Sequence, residues 1–489
     1  MKLNDPGLLR LDAFVDGAWT AGARGERFEV RDPATGVVIA HVADLDAADA
    51  RLAIEAASRA MTAWRRRTAK DRAGVLRRWF ELIMAAREDL ARIMTAEQGK
   101  PLAESLGEVA YGASFIEWFA EEGKRVYGDV IPTIHENKRI LVLKQPVGVV
   151  GAITPWNFPI AMITRKAAPA LAAGCAFVVK PSEETPLCAL ALAELADRAG
   201  VPAGVLNVVA STKAHEVGLE LTQNPIVRKF SFTGSTPVGR RLMAQCATTV
   251  KKVSLELGGN APFIVFDDVD LNAPGGVIDG ALASKYRNMG QTCVCANRLL
   301  VHEAVHDAFV DRLAKRVAAM KVGAGTEADV DQGPLINAKA VEKVERLLAD
   351  AVGSGARIAV GGRRHALGGH FFQPTVVTEV TPAMAITREE IFGPVATITR
   401  FKTEAEAIAL ANDTDSGLAA YVYTRDIGRV FRVAEALDYG MVAVNDGLLS
   451  TEVAPFGGIK QSGLGREGSK YGIEDYLELK YLLLGAIGD

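Results

Sequence analysis

The sequence predicts an α/β protein built on parallel sheets, and three observations lead there. Short apolar, β-branched runs alternate with helical patterns between residues 146 and 240. A second alternation of the same kind begins near Leu257. The 489 residues also exceed the roughly 250–300 at which a single core stops growing, so two or three domains are expected. Alternation at this spacing makes right-handed βαβ units, and such sheets take ligands beyond the carboxyl ends of their strands. A net charge of -3 predicts neither nucleic acid nor an anionic membrane as partner.

In the first alternation, Pro146 to Thr154 reads as a buried strand, followed by a helix from Pro159 to Ala173 that Gly174 ends. Ala176 to Lys180 is the next strand, then a helix from Pro186 to Ala199, a strand from Leu206 to Ala210 and another from Lys229 to Thr233. A helix starts near Ser235. The second alternation runs strand Pro262–Phe266, helix Gly276–Arg287, strand Arg298–His302 and helix Val305–Met320. Further strands are expected at Val395–Phe401, Ala419–Tyr423 and Met441–Asn445. Two extended stretches, Gly128–Leu143 and Tyr476–Leu484, fit neither sheet and are able to pair with each other as an arm.

The uncharged run Gln145 to Thr164 is long enough to cross a membrane, but Pro146, Pro155 and Pro159 break it into strand, turn and helix start. Met1 to Phe14 has no apolar segment of a signal peptide, which predicts a cytoplasmic protein. Five cysteines in 489 residues make no disulfide framework, and no Cys-x-x-Cys pair or histidine cluster calls for a metal.

Four local constellations carry chemistry, each with a plainer alternative. Gly290-Gln291-Thr292-Cys293 places a cysteine in a glycine-bearing turn, where backbone N–H groups favour thiolate; a lone cysteine is as readily a small buried hydrophobe. Leu255-Glu256-Leu257-Gly258-Gly259 puts a carboxylate at the end of an apolar strand, where desolvation moves it toward general-base range; a solvated strand-end charge is the alternative. Pro155-Trp156-Asn157-Phe158-Pro159 holds a neutral amide donor at a strand-to-helix turn, able to stabilise an oxyanion or simply to satisfy the turn. Phe232-Thr233-Gly234-Ser235 enters a helix whose free N–H groups suit a pyrophosphate, although the G-x-G-x-x-G spacing is missing.

In their order, these motifs resemble the aldehyde dehydrogenase superfamily, over nearly the whole chain from the Gly36 region to Tyr481. Lys180-Pro181-Ser182-Glu183, Glu390 to Pro394 and Pro455 to Gly458 match as well. The resemblance implies a variant Rossmann NAD(P)-binding domain over residues 1–127 and 147–256 and an α/β catalytic domain over 257–470. It also implies a β arm for oligomerisation over 128–146 and 471–489. It implies Cys293 as nucleophile, Glu256 as base for hydrolysis and Asn157 as oxyanion donor. Thr154, Trp156, Lys180, Ser182, Glu183, Gly234, Ser235, Glu390 and Phe392 would hold NAD, with NADP as a second possibility, and Lys166 would support the oxyanion site.

Within the superfamily the strings Ile163 to Lys166, Arg287 to Cys295 and Gly463 to Gly472 are most similar to succinate-semialdehyde dehydrogenases, and relatives acting on glutarate semialdehyde share them. That likeness implies Arg165, Arg287 and Ser450 as substrate contacts and a homodimer or homotetramer, and leaves Cys295 either a redox-sensitive partner of Cys293, as in some relatives, or a thiol that simply packs. Glu256 argues against a coenzyme A-acylating relative, which needs no hydrolytic base. The joint presence of Cys293, Glu256 and Asn157 argues against a non-enzymatic protein, and no local motif supplies the histidine a Cys–His hydrolase requires.

Overall fold

The computed structural model describes residues 1–486 and is built on three principal sheets. The first has eight strands. Its parallel centre runs, in spatial order, Lys252–Glu256, Val227–Thr233, Val149–Ile153, Phe177–Lys180 and Leu206–Val208. Antiparallel strands flank it: Gly463–Leu464 on one side, Ala13–Val15 with Ala18–Thr20 on the other. The second sheet has seven strands, ordered Arg357–Val360, Thr375–Thr378, Val395–Phe401, Ala296–His302, Ala261–Val265, Ala419–Tyr423 and Met441–Val444, all parallel except the first. The alternation of strand and helix read from the sequence is therefore the architecture.

The arm also forms. Leu477–Leu484 pairs antiparallel with Arg139–Pro146, which pairs with Asp129–Ile131. The expected arm segment 471–489 includes residues 487–489, which lie outside the described residues. One element needs correction: Pro146–Thr154 is not a single strand. Pro146 ends the arm strand, and the parallel strand starts at Val149. The break falls at Gly148, whose φ of 141° is left-handed space and whose missing side chain leaves room for Arg228, 2.5 Å from where a Cβ would stand.

Four helices lie between residues 47 and 122, which the strand pattern does not announce: Ala47–Trp64 packs on one face of the first sheet beside Ala214–Gln223, and the other three form a layer over Ala161–Ala173 and Pro186–Arg198 on the opposite face. Ala47–Trp64 opens on a capping box between Asp46 and Asp49. Leu102–Glu122 crosses Ala161–Ala173 at Gly112, where a Cβ would stand 2.7 Å from Ile160. Trp64, Trp79, Phe115 and Phe119 are fully buried in this layer, and the indole N–H groups of Trp64 and Trp79 donate to the carbonyls of Leu171 and Leu192. No described helix is long and apolar enough to cross a membrane.

Candidate active site

Parallel register brings the candidate residues level. Ile153 pairs with Lys180 and Phe232, and Thr233 pairs with Glu256, so the carboxyl ends of four strands lie side by side. Beyond them is a cavity of about 350 Å³. Cys293, Glu256 and Asn157 all line it, as do Trp156, Gly234, Ser235, Glu390 and Phe392. Asn157, Glu256 and Cys293, three separate parts of the chain, thus meet at one space.

Backbone contacts that only glycine permits assemble it. A Cβ on Gly259 would stand 2.2 Å from the Cys293 carbonyl, and one on Gly290 would stand 2.2 Å from the carbonyl of Gly393. The Glu-Leu-Gly-Gly turn, the cysteine loop and the Glu390 turn are therefore in direct backbone contact. Ahead of Cys293, Asn288, Met289 and Gly290 are consecutively left-handed, with φ of 51°, 56° and 71°. Such a run persists only where its surroundings over-determine it.

Burial raises the Cys293 thiol to about 12, opposed by the positive charge of Arg165 and, further down, Arg287. At that value Cys293 is a protonated thiol near neutral pH. Glu256 is buried, and neither carboxylate oxygen has a hydrogen-bond partner. Burial first, and the charge of Glu467 second, hold its carboxyl well above the usual range. The strand-end carboxylate is therefore desolvated, as the base reading requires, and not solvated. Asn157 donates its side-chain N–H to the Gln291 carbonyl at 3.0 Å, which ties it to the cysteine loop.

The remaining cofactor candidates divide. Lys180 is buried, donating to the Pro181 carbonyl at 3.0 Å and pairing with half-exposed Glu183 at 3.1 Å. Thr154 is buried with its hydroxyl unpartnered, and the Ser182 hydroxyl accepts from the Glu184 N–H. These four lie at the strand ends beside the cavity and not in its lining. Ser235 precedes the 12-residue helix Thr236–Ala247 without capping it, so that helix start keeps open N–H groups for an anion. Glu390 accepts from the Gly259 N–H at 3.0 Å, and burial raises it to about 7. Phe392 has a φ of 56° and stands edge-on to Trp156, ring centroids 5.6 Å apart. An elongated cofactor with an anionic middle fits this row of groups.

Arg165 and Arg287 do not line the cavity, although both charges act on Cys293. Arg165 is buried, its Nε held by Glu467, its guanidinium 4.2 Å from the Phe456 ring, and its Nη2 without a partner. Arg165 lies in the first turns of the Ala161–Ala173 helix, and Glu467 and Phe456 aim its guanidinium. Arg287 packs over Phe158 at 5.2 Å and forms no ion pair among the described residues. Ser450 is half-buried in the loop after the Met441–Val444 strand. Cys295 is buried with its thiol on the Lys285 carbonyl at 3.3 Å, and is not part of the cavity lining.

Sequence reading missed Glu467, which pairs with both Arg165 and Lys166, and Lys100, which supports Asn157 from below. Lys166 is engaged with Glu467, and the Asn157 carbonyl accepts from Lys100. Glu467 lies within the Gly463–Gly472 string but 302 residues from Arg165, and Lys100 lies 57 from Asn157, so neither pairing is visible along the chain.

A cysteine, a desolvated glutamate and an amide donor around one cavity, with a cofactor-length row beside it, define a thiol-dependent dehydrogenase. The chain belongs to the aldehyde dehydrogenase family, whose members oxidise aldehydes with NAD(P); the family model matches residues 19–482. It is 63% identical over 487 residues to the glutarate-semialdehyde dehydrogenase of Pseudomonas aeruginosa, covering 100% of both chains. To the NADP(+) succinate-semialdehyde dehydrogenase of Escherichia coli it is 61% identical, covering 99% of this chain and 100% of that one. The crystal structure of a succinate-semialdehyde dehydrogenase from Burkholderia pseudomallei superposes with a TM-score of 0.97 at 62% identity, covering 99% and 100%.

Proposed function

We propose that this enzyme oxidises a short ω-carboxy aldehyde, succinate semialdehyde ahead of glutarate semialdehyde, to the dicarboxylate through a thioester on Cys293. The observation that supports this substrate most is Arg165: fully buried, held at one nitrogen by Glu467, and left with Nη2 unpartnered. A buried donor without a partner is costly unless a ligand satisfies it, and a guanidinium suits a carboxylate. Arg287, free of ion pairs among the described residues, supplies a second positive charge, and Ser450 a hydroxyl.

Cys293 gives up its proton to solvent, and the thiolate attacks the aldehyde carbon, converting the carbonyl oxygen to an oxyanion. The second side-chain N–H of Asn157 and the Cys293 backbone N–H hold that oxyanion, each such donor being worth about 3–4 kcal/mol of barrier. Bound NAD(P) supplies the acceptor for the hydride that leaves the same carbon, which leaves an acyl thioester on Cys293. Glu256 then takes a proton from water as its oxygen attacks the thioester, and the Cys293 thiolate departs. The Glu256 carboxyl, held above the usual range by burial, is a stronger base for this proton than an exposed glutamate would be.

For the cofactor, Lys180, Ser182 and Glu183 would hold the adenosine ribose with Thr154 and Trp156 beside them, Gly234 and Ser235 the pyrophosphate, and Glu390 and Phe392 the nicotinamide ribose. Glu183 favours NAD, since its carboxylate repels a 2′-phosphate. We further assign residues 1–127 and 147–256 to cofactor binding, 257–470 to catalysis and the arm to a homodimer or homotetramer in the cytoplasm. Exposed Val130, Ile134, Leu479 and Tyr481 on the arm support pairing with a second copy.

The test is a kcat/KM panel. Arg287→Ala should raise KM for succinate semialdehyde by roughly 10- to 100-fold, the worth of a charge-assisted bond, and change butanal by less than about twofold. Equal losses on both aldehydes would refute the carboxylate clamp.

A further inference from the structure

We propose that Lys100 is a positioning residue for the oxyanion site: its buried ammonium fixes the Asn157 peptide against the loop that carries Cys293. The proposal rests on Asn157 acting as the oxyanion donor. Lys100 has no exposed surface. It lies just past the Arg87–Gln98 helix, which ends on Gly99 at a φ of 91°. Its ammonium spends its donors within the protein, on Glu108 Oε2 at 2.5 Å and the Asn157 carbonyl at 2.7 Å, while lying 4.1 Å from the Phe158 ring centroid.

From there the contacts close into a ring. The Asn157 carbonyl accepts a second bond from Asn288 Nδ2 at 2.9 Å. Asn288 Oδ1 accepts from Gln98 Nε2 at 2.9 Å, and Gln98 Oε1 accepts from the Lys100 N–H at 2.9 Å. Glu108 uses its other oxygen on the Ile160 and Ala161 N–H groups, at 3.0 and 3.3 Å, where the helix after Asn157 begins. The Gln98–Lys100 segment therefore grips both halves of the site: the Asn157 turn through Lys100, and the left-handed Asn288–Gly290 run through Gln98. Every side chain in the ring is buried, so water offers no substitute for a lost contact.

The chemistry depends on this because oxyanion donors act over a narrow range of positions, and a shift of about 1 Å costs on the order of 10²-fold in rate. A lysine suits the post because one compact ammonium reaches a carboxylate, a carbonyl and an aromatic face at once, which no neutral side chain of that length does. Lys100 touches neither cavity nor cofactor row, so its effect passes through Asn157.

The test is a double-mutant cycle between Lys100→Met and Asn157→Ala, followed by kcat, KM and cofactor Kd. Lys100→Met should lower kcat about 100-fold. The loss should be equal on succinate semialdehyde and butanal, with KM and cofactor Kd within about twofold. In the Asn157→Ala background the same substitution should cost less than about threefold more. A kcat kept above half, a loss of Tm alone, or an equal further loss in both backgrounds would overturn the proposal. If Lys100→Met does not fold, Lys100→Met with Glu108→Gln removes both buried charges, and Asn288→Ala breaks the ring from the other side; each should show the same coupling to Asn157. Should Asn157→Ala by itself leave kcat unchanged, the oxyanion reading fails first, and the positioning role with it.

Discussion

Replacing Glu467 with glutamine perturbs two things at once, in ways that can be read separately. The carboxylate is buried between Arg165 and Lys166, whose side chains are 1% and 0% exposed. Burial works against ionisation of Glu467, but its two cationic neighbours outweigh that and keep it a carboxylate. Breaking a buried pair leaves uncompensated charge at a cost of about 3–5 kcal/mol, and solvent screening gives no discount at this burial. At roughly 2 °C per kcal/mol for a large domain, Tm should fall by about 6–10 °C. The second effect falls on Glu256. Glu467 is the largest charge raising its carboxyl, whereas Arg165 and Lys166 lower it. Removing the negative charge therefore lowers the Glu256 pKa, and the acid limb of the kcat profile should move to lower pH. Thermal melts and a pH–rate profile on the same variant measure both. A Tm loss under about 2 °C, or an acid limb moving upward, would refute the electrostatic account of this cluster.

Three further outcomes are expected. Cys293→Ala should abolish turnover while binding cofactor normally, and Glu256→Gln should release one equivalent of NAD(P)H in a burst and then stall, with steady-state kcat down about 10²–10⁴-fold; rapid-mixing absorbance at 340 nm decides, and a Glu256→Gln variant turning over without a burst would remove the base assignment. Because burial raises the Cys293 thiol to about 12, iodoacetamide should inactivate the cofactor-free enzyme about tenfold faster per pH unit from pH 7 to 10; a plateau below pH 9 would contradict a suppressed thiol. Glu183→Ser should raise the NADP-to-NAD ratio of kcat/KM at least tenfold, and an unchanged ratio would show that this carboxylate does not select the cofactor.

Much of the site was legible because its residues sit in short local motifs. Asn157, Glu256 and Cys293 each occupy a strand end or the turn after a helix, and strand alternation fixes those positions from sequence alone. The strands Val395–Phe401 and Ala419–Tyr423 were likewise readable to the residue, since both are rich in β-branched and aromatic residues. Pro146 was misplaced because an apolar run says that a strand is present, not that it leaves one sheet and enters another.

What the sequence determined by itself, then, was the class of fold and the placing of Cys293, Glu256 and Asn157 at strand ends and turns, because each depends on periodicity or on a handful of adjacent residues. Only the tertiary structure decided their states. The Cys293 thiol is suppressed and Glu256 raised because the surrounding layers exclude water, and Arg165 is half spent on Glu467, 302 residues away. Lys100 reaches the Asn157 carbonyl from a separate helical layer. Burial and long-range pairing set the energy of a charge, and neither is a property of the few residues on either side of it along the chain.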